Sequence, residues 1–424
     1  MSSRRILITG ISSSLGGRLA QRLELDPQVQ TLVGVDTSEP QHRLERTEFV
    51  RVDTEQTALQ RILSAAAIDT VVDTRLVPDP LVAASGSAHE INVAGTAEVL
   101  LACGAPGCAV RKLVFKSSAN YYGFGSQDPA FWSEDVDRRR PPGNGIERDV
   151  VEAEERVREF AGRDGTRTVT TLRLADQLGG EERASHLALL SLPVVPAILG
   201  FDPRWQFIHE HDAVGALAHA VLHEIPGTYN AAADGVLALS EIASLLGKIT
   251  VPLLPPVGTG FAAAQLRRLG MPVPVELVRQ LRAGRGLDNR RLKATGYVYR
   301  YTSREAVLKL RAQQRLRPLL GSGGEGYRYE PEVEEFLRRS PSVRPPVRLG
   351  AHASDPDRPN PPDADGSPAP GAYDSLSADE VIGIAGSLDP PALAELRRHE
   401  AATRSRRELL GALDAMLERA QNPG

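Results

Sequence analysis

RRILITGISSSLGGRLAQRLE, residues 4–24, reads as a β-strand that runs into a helix through a loop of small residues. The apolar run is short enough for a buried strand and ends at Thr9-Gly10. Gly16-Gly17 then open a helix whose Leu15, Leu19 and Leu23 share one face. Small residues suit such a turn because backbone N–H groups and the positive end of the helix must approach a pyrophosphate with no Cβ atoms in the way. The usual middle glycine of this pattern is Ser13, which is small and can donate a hydrogen bond. A glycine loop alone reads equally as an ordinary tight turn. Asp36 narrows the reading: it ends the next strand, TLVGVD, twenty residues after Gly16, where a carboxylate accepts from ribose hydroxyls and repels a 2′-phosphate. Asp53, in FVRVDT at the end of a third strand, either meets the adenine or caps the helix TEQTALQRIL. Gly10, Ser13, Leu15, Gly16, Asp36 and Asp53 are the expected cofactor contacts, and NAD is favoured over NADP.

Outward from that stretch, strand runs and helical patterns alternate as far as residue 174: TVVDT, KLVFKSS and TVTTLRL follow the three strands above. The rhythm predicts a Rossmann-like, doubly wound parallel sheet of the α/β class. From 175 to 318 the pattern loosens into short elements, including WQFIHEHD on a short strand, a GTYN turn and the helix SEIASLLG, which build a smaller substrate-side lobe. Residues 341–374 are dense in Pro, Gly and Asp and read as a flexible linker. Beyond it, Ser377 with Glu380, Asp389 before Pro390, and Leu409, Leu413, Met416, Leu417 and Ala420 at helical spacing predict a small helical unit. The expected organisation is a main domain over 1–320, an extension and linker over 321–374, and a helical appendix over 375–424.

Composition limits the partners. With 41% hydrophobic and 25% charged residues and a net charge of -4, nothing draws the chain toward nucleic acid or an anionic membrane, and a small molecule is the expected ligand. The only two cysteines, Cys103 and Cys108, support neither a disulfide framework nor a metal site. His209 and His211 stand two apart with no third ligand nearby, so no metal is expected. Asp212 is read as the cap of the helix that follows. No stretch of about 18 apolar residues and no leader pattern is present, so a cytoplasmic location is expected.

INVAGTAEVLLAC (91–103) and KLVFKSSANYYG (112–123) carry a more specific signal. Together with TLRLADQLG, WQFIHEHDAVGALAHAV, GTYNAAADGVLALSEIASLLG and RGLDNRRLKATGYVYRYTSREAV they resemble the extended short-chain dehydrogenase/reductases, the NAD-dependent epimerase/dehydratase family. The likeness spans residues 4 to 312 and is greatest to an actinobacterial branch described as UDP-glucose 4-epimerase-like. It implies that Ser118 is the catalytic hydroxyl that hydrogen-bonds the reacting oxygen, and that Asn92 shapes the cofactor site; the plainer alternatives are a loop cap and a polar group that stabilises a helix kink. It also implies dimers formed through the helices after the fourth and fifth strands.

The same resemblance exposes departures. The family's Tyr-x-x-x-Lys pair, the general acid/base and the lysine that lowers its pKa, belongs at the start of GIERDVVEAEERVREFAG. Registering Glu154 on the family's glutamate puts Ile146 and Val150 at those positions, and no tyrosine or lysine occurs anywhere between Gly123 and Gly227. Asp176 replaces an asparagine that often holds the nucleotide-sugar. Asp73 and Arg75 replace small residues after the fourth strand, with Arg75 either solvated or reaching a phosphate. Candidate replacements for the lost pair are Lys116, two residues before Ser118 and so on the same face of its strand, together with Tyr122 and Tyr121. Lys116 reads equally as one half of a salt bridge with Glu90 or Asp149. Two functions follow: an oxidoreductase or epimerase on a nucleotide-sugar-like substrate with rewired acid/base chemistry, or a non-catalytic NAD(H) binder whose C-terminal helices engage a protein partner.

Overall fold

The computed structural model describes residues 4–52, 56–79, 81, 85–125, 128–138, 140–179, 184–254, 275–316, 378–385, 388 and 390–421. Seven strands form its main sheet: β1 (Arg4–Thr9), β2 (Val29–Asp36), β3 (Thr47–Arg51), β4 (Thr70–Asp73), β5 (Lys112–Ser118), β6 (Thr168–Leu174) and β7 (Gly227–Ala231). They lie in the order β7-β6-β5-β4-β1-β2-β3, and every neighbouring pair is parallel. A parallel sheet covered on both faces must be apolar along whole strands, which is what Ile6, Leu7, Ile8, Val71, Val72, Leu113, Val114 and Phe115 supply, all buried. Strand order reverses between β1 and β4, so the loops after these two strands diverge and open a crevice over their carboxyl ends.

The helices that place the site are α1 (Ser14–Glu24), α2 (Gln56–Ala65), α3 (Ser85–His89), α4 (Thr96–Cys103), α5 (Gly145–Arg163), α6 (Ser185–Ser191) and α7 (Glu210–Leu222). α1 packs on α7, whereas α2 and α5 both pack on α4, giving the two helical layers of a doubly wound fold. Between α3 and α4 the chain continues as a π-helical segment, Glu90–Gly95, an insertion of a kind found often at functional sites. α5 begins with a reciprocal capping box: Asn144 Oδ1 accepts from the Glu147 amide (2.7 Å), Asn144 Nδ2 donates to Glu147 Oε1 (3.2 Å), and Glu147 Oε2 accepts from the Gly143 amide (2.8 Å).

Three expectations are corrected. GTYN is not a turn but the start of edge strand β7, whose Tyr229, Asn230 and Ala231 are buried against β6. His211 is not on a strand, since the strand Phe207–His209 gives way to α7 at Glu210. His209, not Asp212, caps α7: its ring nitrogen accepts from the His211 amide (3.1 Å), while Asp212 sits inside the first turn and accepts from the amides of Arg300 (2.8 Å) and Tyr301 (2.9 Å).

That cap carries a pH dependence. Burial, followed by the charges of Lys309, His211, Arg18 and Arg300, pushes His209 down to about 3, and burial with the neighbouring His223 pushes His219 to about 4. Both imidazoles are thus neutral in the folded state, whereas an unfolded chain takes up protons below about 6.5. Their stabilisation is complete above that pH and is lost as pH falls toward 4 and then 3. The midpoint of chemical denaturation is expected to fall between pH 7.5 and pH 5, by at most ~1.4 kcal/mol per pH unit for His209 and less for the more solvated His219. A midpoint that holds steady across that interval would contradict the assignment.

A second compact unit spans 311–418. It contains the helices Ala378–Ala385 and Pro390–Ala402 and all but the last turn of Arg407–Gln421, with Val381, Leu393, Leu396, Leu409, Leu413 and Met416 buried. Arg406 pairs with Glu400 (2.7 Å), and Arg397 pairs with Asp414. The linker expected over 341–374, like the side chain of Ser377, lies outside the described residues.

Candidate cofactor and substrate site

Gly10 ends β1 with φ +80°, in the left-handed region that glycine enters freely. A Cβ on Gly16 would stand 2.2 Å from the Gly10 carbonyl oxygen, so the loop closes this tightly only with glycine there. Ser13 caps α1. Its Oγ accepts from the Gly16 amide (3.0 Å) and donates to the Gly10 carbonyl (2.7 Å), which commits the hydroxyl to the loop itself. Leu15 is buried beneath the turn. Asp36 stands at the end of β2, where its Oδ2 accepts from the Ser12 amide (2.9 Å) and hydroxyl and its Oδ1 from the Thr37 amide (2.8 Å). A carboxylate has about four acceptor sites, so one remains for a ribose hydroxyl. Asp53 lies outside the described residues. Glycine geometry, helix end and placed carboxylate together fit a dinucleotide.

The far wall of the crevice comes from the end of β4. Thr74 Oγ1 donates to the Thr9 carbonyl (2.7 Å), tying the two loops together. Asp73 is buried and accepts from Thr9 Oγ1 (2.8 Å), Arg75 Nε (3.0 Å) and Arg75 Nη2 (3.0 Å). Burial alone would raise its carboxyl; the Arg75 charge and these donors overcome that and hold it below its usual value. Asn92, fully buried in the π segment, accepts from the Val77 amide (2.6 Å) and donates to the Val77 carbonyl (2.9 Å). Its role is to clamp the loop after β4.

Ser118 ends β5 and caps the short 3₁₀ turn Ala119–Tyr121, its Oγ accepting from the Asn120 amide (3.2 Å). It lines a cavity of about 60 Å³ together with Lys116, Ile146, Asp176 and His186. Ile146, at the place expected for the tyrosine, therefore does face the same space as Ser118, whereas Val150 is fully buried. Lys116 Nζ donates to the Leu76 carbonyl (2.6 Å), while Asp149, one acceptor considered for it, pairs with His89 (2.8 Å).

Tyr122 sits in the core, stacked on Trp132 with ring centroids 4.9 Å apart. Its hydroxyl donates to Asn230 Oδ1 (2.8 Å) and accepts from Arg173 Nη1 (2.8 Å). Burial raises its pKa despite the nearby guanidinium. Arg173 also donates to both oxygens of Glu154, and Glu154 accepts from Ser117 Oγ. The arginine lies 3.5 Å from the centroid of the Tyr121 ring. Tyr121 and Tyr122 thus belong to one buried polar network beneath the strand end that carries Ser118.

Several groups here carry no recognisable sequence signal. His186 lines the cavity and donates from Nε2 to the Gln177 carbonyl (2.8 Å). Arg285 is buried, donates to Asn120 Oδ1 (3.2 Å) and covers the Phe124 ring at 4.1 Å; burial lowers its pKa. A neighbouring cavity of about 280 Å³, sharing Phe124 and Glu147 with the first, is lined by Arg138, Arg140, Arg279 and Arg282 against Asp128 and Glu147. Arg138 and Arg140 come from a proline- and arginine-rich loop and Arg279 and Arg282 from the helix Val275–Arg282, and only the fold collects them.

The sequence profile of the NAD dependent epimerase/dehydratase family matches residues 6–232. An uncharacterized protein of Mycobacterium tuberculosis is 35% identical over 310 residues, covering 71% of this chain and 81% of that one. A second uncharacterized protein of the same organism is 27% identical over 281 residues, 65% of this chain and 27% of its own length. Among solved structures, the UDP-glucose 4-epimerase of Thermotoga maritima with UDP-glucose superposes with a TM-score of 0.57 at 17% identity, covering 73% of this chain and 98% of that one. The UDP-glucose 4-epimerase of Brucella ovis in complex with NAD gives 0.56 at 18% identity, covering 73% and 97%. At such identities the likeness to the solved structures is one of fold.

Proposed function

This chain belongs to the NAD dependent epimerase/dehydratase family, with NAD as its cofactor, and from that premise we propose that it acts on a nucleotide-sugar-like substrate without the family's tyrosine–lysine pair. NAD would lie across the carboxyl ends of β1 and β4, with its adenosine ribose on Asp36 and its nicotinamide toward Ser118. When bound, it supplies a hydride acceptor. The observation that carries the proposal is the shared cavity of Ser118, Lys116 and Ile146: a serine and a lysine line the space where a reacting carbinol would sit, and an isoleucine stands in place of the tyrosine. The adjoining cavity sets four arginines against two carboxylates, with Arg138 (3.2 Å) and Arg279 (3.6 Å) on Glu147 and Arg140 on Asp128 (3.8 Å), and its excess of positive charge supports a substrate that carries a diphosphate. Ser118 would orient the reacting oxygen and Lys116 would be its nearest cation, while Tyr122 acts as a structural prop.

Incubation of the purified protein with NAD and a panel of UDP- and dTDP-sugars, followed by absorbance of the reduced nicotinamide, tests this. Reduction by any member supports an enzyme. Binding of NAD with no reduction across the panel supports the second reading, a non-catalytic NAD(H) binder, which the alkyl side chain at Ile146 also favours. NAD preference has its own check. Asp36→Ala is expected to weaken NAD binding about tenfold or more and to narrow discrimination against NADP, since it removes the ribose acceptor and the anchor of the Ser12 amide. Tighter binding of NADP than NAD by the unaltered protein would contradict it.

A further inference from the structure

We propose that Arg75 is a fixed cation on which the cofactor's pyrophosphate is seated, adding to the amides at the start of α1; this rests on the reading that the crevice over β1 and β4 takes NAD. The loop commits three of its amides internally. The Ser12 amide donates to Asp36 (2.9 Å), the Ser13 amide to the Gly10 carbonyl (3.2 Å) and the Gly16 amide to Ser13 Oγ (3.0 Å), and the Ser13 hydroxyl also points back to Gly10. The Ser14 and Leu15 amides, in the first turn of α1, keep no acceptor among the described residues and stay available to a pyrophosphate, whose two negative charges also call for a cation beside them.

Arg75 stands beside this loop. It follows β4 directly, and its stem packs on the phosphate loop: a Cβ on Gly10 would be 2.9 Å from Arg75 Cγ. At its other end Nη2 donates to the Gly95 carbonyl (2.8 Å), and a Cβ on Gly95 would be 3.0 Å from Nη1. The side chain thus spans the switch point between two residues that lack a Cβ. Only 13% of it is exposed, so it is not the solvated surface arginine that its sequence position equally allows. Asp73 grips Nε and Nη2 in the two-pronged geometry that fixes a guanidinium plane. Nη1 has no hydrogen-bond partner among the described residues, so one edge of the oriented plane is left to donate. Burial works against a charged guanidinium here, yet the charges of Asp73, Asp36 and Glu98 keep it protonated.

Calorimetry of the full chain with NAD, ADP and adenosine tests this. Arg75→Met alone leaves Asp73 buried without its partner, so it is compared with Asp73→Asn/Arg75→Met, which removes both charges and spares the fold. In both variants NAD and ADP are expected to bind about 10- to 100-fold more weakly, while adenosine, which has no phosphate, binds as before. Unchanged NAD and ADP binding in the double variant would overturn the proposal. So would tighter binding, because Arg75 would then be a plug that the cofactor must displace. Failure of the unaltered chain to bind NAD or ADP at all would instead remove the underlying reading of the crevice.

Discussion

Epimerisation of UDP-glucose by this chain is expected to be absent, or slower by about 10²–10⁴-fold than in a relative that carries the tyrosine–lysine pair. That factor is what a positioned general acid/base contributes, and the structure offers no phenol at its place. Ile146 occupies the wall opposite Ser118, and Val150, one helical turn on, is fully buried among apolar groups. Tyr122 cannot step in without abandoning Arg173 and Asn230, and its raised pKa works against giving up a proton near neutrality. Lys116 remains the basic group nearest the cavity on the Ser118 strand. If some other sugar substrate reduces bound NAD, its rate is expected to vary with pH, and Lys116→Met should abolish that variation while leaving NAD affinity intact. Unchanged kinetics in Lys116→Met would remove lysine from the mechanism. Brisk epimerase activity in the unaltered protein would mean that another group carries the proton, with Asp79, Glu147, Asp176 and His186 the other titratable side chains that line the cavity.

The parallel sheet was legible because its strands are nearly continuous apolar runs separated by helical patterns, and the crevice because glycines and a strand-end aspartate obey local rules. β7 was not: Gly227–Ala231 is an edge strand whose pairing with β6 comes from tertiary contact, and its glycine and asparagine read as turn residues. The helix cap at His209 was misassigned to Asp212 because both stand within one turn of the boundary, and only three-dimensional contact shows Asp212 holding the amides of Arg300 and Tyr301. Of the candidate site, Ser118 was named by the family resemblance and Lys116 by period-two alternation, which puts both on one face of the same strand. The neighbouring arginines, His186 and the burial of Tyr122 depend on which loops meet over the sheet. Tyr122 and Tyr121 looked available because a tyrosine after a strand end is exposed or buried according to what packs on it, and here Trp132 and Arg173 do.

Glu154→Ala is expected to destabilise the fold by about 3–5 kcal/mol, the cost of leaving a buried charge without its partner. Glu154 and Arg173 are each only 3% exposed and meet through several hydrogen bonds, the shortest of 2.7 Å. Burial by itself would lower the arginine's pKa, and Glu154 and Tyr122 raise it instead; a guanidinium is not deprotonated in proteins, so the charge stays when Glu154 is removed. Removing the carboxylate strands that charge under Tyr121 and also takes an acceptor from Ser117 beside Ser118. Replacing both partners by apolar residues of similar volume, as in Glu154→Met/Arg173→Met, is expected to cost far less, because neither desolvated charge remains. Tyr122→Phe separates support from chemistry. It deprives Asn230 Oδ1 of a donor and Arg173 Nη1 of an acceptor, for roughly 1–3 kcal/mol. If Tyr122 only props the strand end, denaturation midpoints should fall in this variant while turnover per folded molecule, with any substrate that reduces NAD, stays within a few-fold. A variant that keeps its midpoint and loses turnover would return Tyr122 to the chemistry and take the buried network out of its structural role.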